Sequence, residues 1–451
     1  MKKNDLIVLG ILAAVLVAGI VMLLTQRRVP PGVGEQHVTP SEAGYYGRAD
    51  RATDRAEPVS VVYWISIDGL RSDYLERADT PFFDFLLAEG AYSLEHEVVF
   101  PSTTFPSHVS QATGVRPGEH GITANSFHDL ETGREYHFPS DSSLLEAEPI
   151  WNTAVRQGLR VASLDWVLSH AQTGPYSADY FDPEYQRGLS NEERLRRLLD
   201  ILLTDEHSEP LRLLMGYTVG PDSPGHRFGP DSDEVVSAVE EIDAILGRHY
   251  EELVEFWNEN MAPDDELYFT VTSDHGMSEV HTLVHPDHLT GLSDREDVRL
   301  ITSANIAHVY LDSELSPGQR DELVEETLDR LAEFGFVRAY TRESLPAEWG
   351  YDHPSRTGDL LIVLESGYTF SRRPHGIRMA PEEGTGPFGM HGYDPVQDPD
   401  MNTVALFHRY PISFGGTDLG PVHSLQLHPT VARLLGITPA ETAQSRPIDL
   451  R

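Results

Sequence analysis

Three aspartates and three histidines stand just past apolar runs in this sequence. Asp68 ends VVYWISID (61–68), Asp222 and His226 lie in YTVGPDSPGH, Asp274 and His275 follow ELYFTVTS in TSDHGM, and His391 lies in GMHGYDP. Singly, each has an ordinary explanation. Asp68 and Asp274 precede Gly69 and Gly276 and suit turns, and His226 is one of 21 histidines. Together, carboxylate and imidazole suit Zn2+, and six such side chains are enough for two ions. A hydroxyl beside them would be a candidate nucleophile. FPSTTFPSHVSQATG (100–114) supplies Thr103 and Thr104 between two prolines, at the head of a helical pattern. Either threonine could cap that helix, with Pro106 in its first turn. Either could instead face a phosphate lying at the helix N-terminus. The stretch by itself leaves both readings open.

These residues need elements to position them. From Val59 onward, helical patterns alternate with apolar strands. TPFFDFLLAEG reads as a helix closed by Gly90. IWNTAVRQG is followed by the strand LRVASLDW, and NEERLRRLLDILLT by LRLLMGYT. A long acidic helix from about Asp231 to Asn258 precedes ELYFTVTSD. AHVYLD, the helix PGQRDELVEETLDRLAEFG, DLLIVLES and a closing helix near HPTVARLLG complete the chain. The pattern predicts an α/β fold with a largely parallel sheet covered on both faces. Ligands of such sheets gather beyond the C-terminal ends of the strands, where the six polar residues stand.

Composition narrows the possible partners. The 451 residues carry 34 basic and 72 acidic side chains, a formal net charge of −38. That argues against a stable nucleic-acid partner held by phosphate contacts. It does not exclude a nucleotide substrate, because a bound metal reverses the local field. Lysine occurs only as Lys2 and Lys3, and this acidic, lysine-poor composition suggests a high-salt habitat or a biased genome. With no cysteine, thiolate metal sites and disulfides are excluded. Residues 6–24 are uncharged and long enough to span a bilayer. Three parts are therefore expected: a membrane anchor at 1–26, a Pro- and Gly-rich flexible linker at 27–57, and a catalytic domain at 58–451. The anchor would make this a single-pass protein of the cytoplasmic membrane with its catalytic domain outside.

The ordered set ISIDGLRSDY, FPSTTFPSH, GITANSF, GPDSPGHRFGP, TSDHGM and MHGYDP resembles the nucleotide pyrophosphatase/phosphodiesterase family of the alkaline phosphatase superfamily. The likeness runs from about Val61 to His391. It implies an alkaline-phosphatase-like α/β/α sandwich, with one zinc on Asp222, His226 and His391. A second zinc would sit on Asp68, Asp274 and His275, with Thr104 as nucleophile and bridging ligand and Thr103 structural. Asn125 matches the asparagine that bonds a phosphoryl oxygen. Phe105 and Tyr185 match the pair that stacks a base, and Tyr217 matches another pocket tyrosine. Where many members have asparagine, this chain has Ser107. The implied reaction is cleavage of a nucleotide phosphodiester or pyrophosphate through a phospho-threonine, releasing a nucleoside 5′-monophosphate. Sulfatase chemistry is excluded, because TTFPSH lacks the Cys or Ser of a C/S-x-P-x-R setting. A monoesterase would need extra charged groups where Phe105 stands. Phosphonate hydrolysis and a choline- or lipid-headgroup phosphodiesterase remain alternatives on the same scaffold. The intact ligand set argues against a catalytically silent binding protein.

Overall fold

The computed structural model describes residues 57–292, 294–382, 384 and 386–450. The expected anchor at 6–24 lies outside them, as does all of the linker but Glu57. Among the described residues no helix is long and apolar enough to cross a membrane. This overturns the expected placement as a single-pass protein of the cytoplasmic membrane. The helix Asp233–Asn260 has the length, but it is amphipathic and lines its outer face with acidic residues.

The central sheet contains β1 (Ser60–Ile67), β2 (Ala91–Glu97), β3 (Arg160–Ser163), β4 (Tyr180–Phe181), β5 (Leu211–Thr218), β6 (Glu266–Ser273), β7 (Thr403–Tyr410), β8 (Thr417–Asp418) and β9 (Val422–His423). Their order is β8-β2-β7-β6-β1-β5-β3-β4, with β9 also on β2. β6, β1, β5, β3 and β4 run parallel. β7 runs antiparallel to both of its neighbours. The sheet is thus largely parallel, as expected, with one reversed strand that the sequence pattern did not reveal.

Both faces of β1 are buried, which is why it reads as an unbroken apolar run. Val61, Tyr63, Ile65 and Ile67 enter one core with the helices α1 (Pro81–Glu89), α4 (Asn191–Thr204) and α6 (Asp233–Asn260). Val62 and Trp64 enter the opposite core with α2 (Thr104–Thr113), α3 (Ile150–Arg156) and α8 (Leu427–Leu435). The result is an α/β/α sandwich. Local signals set the helix boundaries. Ser190 and Glu193 form a capping box at the start of α4, and Ser232 caps α6.

AHVYLD and DLLIVLES do not join the central sheet. They lie in a separate four-stranded antiparallel sheet ordered Val298–Ser303, Ile306–Leu311, Leu360–Leu364, Val337–Thr341. That sheet has its own core, to which α7 (Pro317–Leu331) contributes Leu323 and Leu331. Ser303 pairs with Ile306 across a two-residue turn, and only an antiparallel partner can be reached so quickly.

Register decides where the site forms. Ile67 pairs with Thr218 on one side and Ser273 on the other. Asp68, Val219 and Asp274 therefore leave the sheet at the same level. A third contributor, α5 (Asp222–Phe228), begins just past β5 and Val219.

Candidate active site

The six expected ligands converge at this rim. The ligand atoms of Asp68, Asp274 and His275 lie within 4.8 Å of one another, and so do those of Asp222, His275 and His391. The His226 Nε2 closes on Asp222 Oδ1 at 3.2 Å, and His391 Nε2 lies 3.6 Å from the same oxygen. His275 stands in both groups because its ring stacks on that of His391, 3.4 Å between centroids. The family resemblance implies His275 in one group only.

The imidazoles are oriented alike. The Nδ1–H of His275 is donated to the Gly276 carbonyl at 2.9 Å, that of His226 to Gly389 at 2.8 Å, and that of His391 to Ser102 at 3.1 Å. A carbonyl only accepts, so Nδ1 carries a proton in each ring and Nε2 is turned inward. There it meets carboxylate oxygens. Asp68 Oδ1 and Asp274 Oδ2 are 3.3 Å and 3.2 Å from His275 Nε2. Asp68 Oδ1, Asp222 Oδ1 and Asp274 Oδ2 are buried without a hydrogen-bond partner. Three carboxylate oxygens without a hydrogen-bond partner thus crowd the inward Nε2 atoms of three imidazoles. A divalent cation relieves such an arrangement, so the donor set fits metal.

Electrostatics describe the same frustration. Burial, then the charges of Asp274 and Asp222, push the Asp68 carboxyl well above its ordinary range. Burial would raise Asp222 too, but His226, His391 and His275 outweigh it and hold the carboxyl low. Burial would lower His226, yet Asp222 lifts it to about 9. Without metal, protons substitute for cations.

Thr104 is the first residue of α2, half-buried at the site mouth, with its Oγ1 3.2 Å from His275 Nε2. Neither threonine reading as a helix cap holds: Thr103 occupies the N-cap with no side-chain capping bond. Thr103 is fully buried, and its methyl lies against Gly392. A Cβ on Gly392 would sit 2.6 Å from Asn305 Oδ1 at φ +109°, so the loop bearing His391 requires glycine there. Asn125 Oδ1 accepts the Phe105 N–H at 2.9 Å, which leaves its NH2 as the remaining donor beside Thr104. Ser107 is buried on α2.

The aromatic residues divide. Phe105 is half-buried at the mouth. Tyr185 is half-buried, with the Arg194 guanidinium 4.8 Å over its ring and the His170 edge 5.8 Å away. Tyr217 departs from expectation. It is buried on β5, and its hydroxyl donates to Asp68 Oδ2. Its ring meets His108 edge-to-face at 5.3 Å, and this buried, hydroxyl-bonded position supports a carboxylate.

Two further residues escaped the sequence reading. His108, one turn beyond Thr104 on α2, joins Thr104 O (2.8 Å), Asp274 Oδ2 (3.3 Å) and Ser66 Oγ (2.8 Å). Its i,i+4 spacing from Thr104 was a usable signal. Phe138 is 59% exposed at φ +46°, and its ring meets Phe105 edge-to-face at 5.6 Å. The hairpin Ser126–Asp129/Arg134–His137 delivers it, and nothing local announced that.

Comparison with known proteins agrees with the geometry. The family model for type I phosphodiesterase/nucleotide pyrophosphatase matches residues 62–394. An uncharacterized pyrophosphatase/phosphodiesterase of Schizosaccharomyces pombe is 28% identical over 84% of this chain and 77% of its own. The bis(5′-adenosyl)-triphosphatase enpp4 of Mus musculus is 26% identical over 88% of this chain and 81% of its own. The structure of human ectonucleotide pyrophosphatase/phosphodiesterase 5 superposes with a TM-score of 0.72 at 25% identity, covering 84% of this chain and 95% of that one. The chain belongs to the type I phosphodiesterase/nucleotide pyrophosphatase family and is a metal-dependent hydrolase of phosphoric ester or anhydride bonds.

Proposed function

Proceeding from that membership, we propose that this enzyme cleaves a nucleotide phosphodiester or pyrophosphate through a phospho-threonine on Thr104, releasing a nucleoside 5′-monophosphate. The observation that carries the proposal is the half-buried Thr104 hydroxyl, set at a helix N-terminus beside His275 and three partnerless carboxylate oxygens. Asp68, Asp274 and His275 would hold one zinc ion, and Asp222, His226 and His391 the other. Bound there, the two ions supply Lewis-acid charge that acidifies a hydroxyl and balances the charge spreading over the phosphoryl oxygens. Thr104 Oγ1 bonds to phosphorus as the bond to the leaving oxygen breaks. Water later cleaves the threonine ester. The Asn125 NH2 donates to a phosphoryl oxygen.

Phe105 and Tyr185 orient the nucleotide by stacking its base. Arg194 already covers one face of Tyr185, which leaves the other for a ligand. Tyr217 acts on Asp68 instead of the base. The name of the enpp4 relative, a bis(5′-adenosyl)-triphosphatase, supports a nucleotide substrate.

The test is metal-dependent turnover of bis-p-nitrophenyl phosphate in preference to the monoester, lost on chelation and restored by zinc. Thr104→Ala should lose at least about 10³-fold in kcat while retaining metal. Full activity in that variant would refute the nucleophile. ATP and diadenosine compounds should turn over and phosphocholine esters should not; the reverse would leave only a two-zinc phosphodiesterase.

A further inference from the structure

ISIDGLRSDY contains an arginine to which the reaction assigns nothing. The Arg71 side chain is only 8% exposed, three residues past Asp68. Its contacts lead to every segment that carries an expected ligand. The Nε and Nη2 groups bond the Asp73 carboxylate, on the Asp68 loop. Nη1 donates to the Met277 carbonyl at 2.8 Å, on the Asp274–His275 loop. Nη2 reaches Asp231 Oδ1 at 3.0 Å, just beyond α5 with Asp222 and His226. Nη1 also lies 3.5 Å from Asp400 Oδ2, on the loop that follows His391. The guanidinium carbon sits 4.8 Å over the Tyr74 ring.

The surrounding backbone has no slack. The Gly276 N–H bonds Met401 O at 3.0 Å and the Met277 N–H bonds Asp400 O at 3.1 Å. A Cβ on Gly276 would lie 1.9 Å from Asp400 O and 3.1 Å from Arg71 Cγ. The His275 and His391 loops therefore close against each other at the point where Arg71 enters. The three carboxylates are 43%, 73% and 58% exposed, so each ion pair alone stabilises little. The distinctive feature is that one planar fork spans four chain segments, which an ammonium on a flexible stem cannot reproduce.

We infer that Arg71 is a positioning residue for the metal centre, whose guanidinium keeps the four ligand-bearing segments in register and so sets metal affinity. The inference rests on the proposal that the six residues hold zinc. Arg77 serves as its control: it shares Asp73 (3.5 Å) and Asp231 (2.8 Å) and also reaches Pro230 O (3.3 Å), on the Asp73 and Asp231 side of Arg71 and not on that of Met277 and Asp400.

The full chain and its Arg71→Ala, Arg71→Lys and Arg77→Ala variants are loaded with zinc and equilibrated in metal buffers. Retained zinc is counted by mass spectrometry, and thermal unfolding of the metal-free forms is recorded alongside. Arg71→Ala should half-empty at about 10- to 100-fold higher free zinc than the unaltered chain. Arg71→Lys should fall between, and Arg77→Ala should match the unaltered chain. A folded Arg71→Ala that retains zinc normally overturns the inference and leaves the metal reading standing. An unaltered chain that binds no zinc overturns the metal reading, and the inference with it. Unfolding of both Arg71 variants would make Arg71 a folding residue and would equally refute the inference.

Discussion

The two halves of the site use the same residue types but are supported differently. Asp68, Asp274 and His275 form an inner half with almost no exposed surface. Tyr217 bonds Asp68, the Gly69 N–H donates to Asp274 Oδ1 at 3.1 Å, and buried His108 packs 3.3 Å from Asp274 Oδ2. In the outer half, Asp222 and His226 keep 17% and 29% of their side chains exposed and stand one turn apart on a single short helix. His391 alone is buried there, held by the Ser102 carbonyl. Enclosure raises the cost of removing a ligand, because the remaining charges are left uncompensated at low dielectric. An open half admits substrate and water, and it tolerates disturbance because solvent screens what is lost. The comparison suggests that the inner half is the fixed platform and the outer half is where exchange occurs.

The sharpest way to break this contrast is to remove one imidazole from each half. His275→Ala should lower kcat on bis-p-nitrophenyl phosphate on the order of 10²–10³-fold, with no recovery in excess zinc, because His275 is enclosed in the inner half and also lies close to the ligand atoms of Asp222 and His391. His226→Ala should lose about 10- to 100-fold in metal affinity and regain much of its activity as zinc is added. Equal rescue of the two variants would erase the distinction between the halves.

A smaller effect probes what braces the inner half. Tyr217→Phe removes only the hydroxyl that bonds Asp68. It should weaken zinc retention about 10-fold and leave KM for nucleotides nearly unchanged. If instead KM rises while zinc retention holds, Tyr217 contacts the substrate after all.

The smallest effect lies at the mouth. Phe138 holds an exposed ring against Phe105 in a backbone conformation that a bulky side chain rarely adopts. Phe138→Ala should raise KM for nucleotides by about fivefold, the equivalent of roughly 1 kcal/mol of aromatic contact, without altering zinc retention. An unchanged KM across ATP and diadenosine substrates would remove Phe138 from the binding surface.

Much of this was legible in the chain itself. β1, β5 and β6 stood out because strands buried on both faces read as unbroken apolar runs, and the residues after them had to lie at one rim. The helix at 191–204 was legible to the residue, since its capping box is a local signal. Tertiary structure alone decided the rest. It reversed β7 and drew AHVYLD and DLLIVLES into a second sheet, because an apolar run records that it is buried and not which strand it joins. It placed His275 in both ligand groups, turned the Tyr217 hydroxyl onto Asp68, and brought Phe138 to Phe105 and Arg71 to Asp231 and Asp400. Periodicity and capping act over a few residues and are written locally. Pairings across hundreds of residues are settled only when the packed chain brings their partners together.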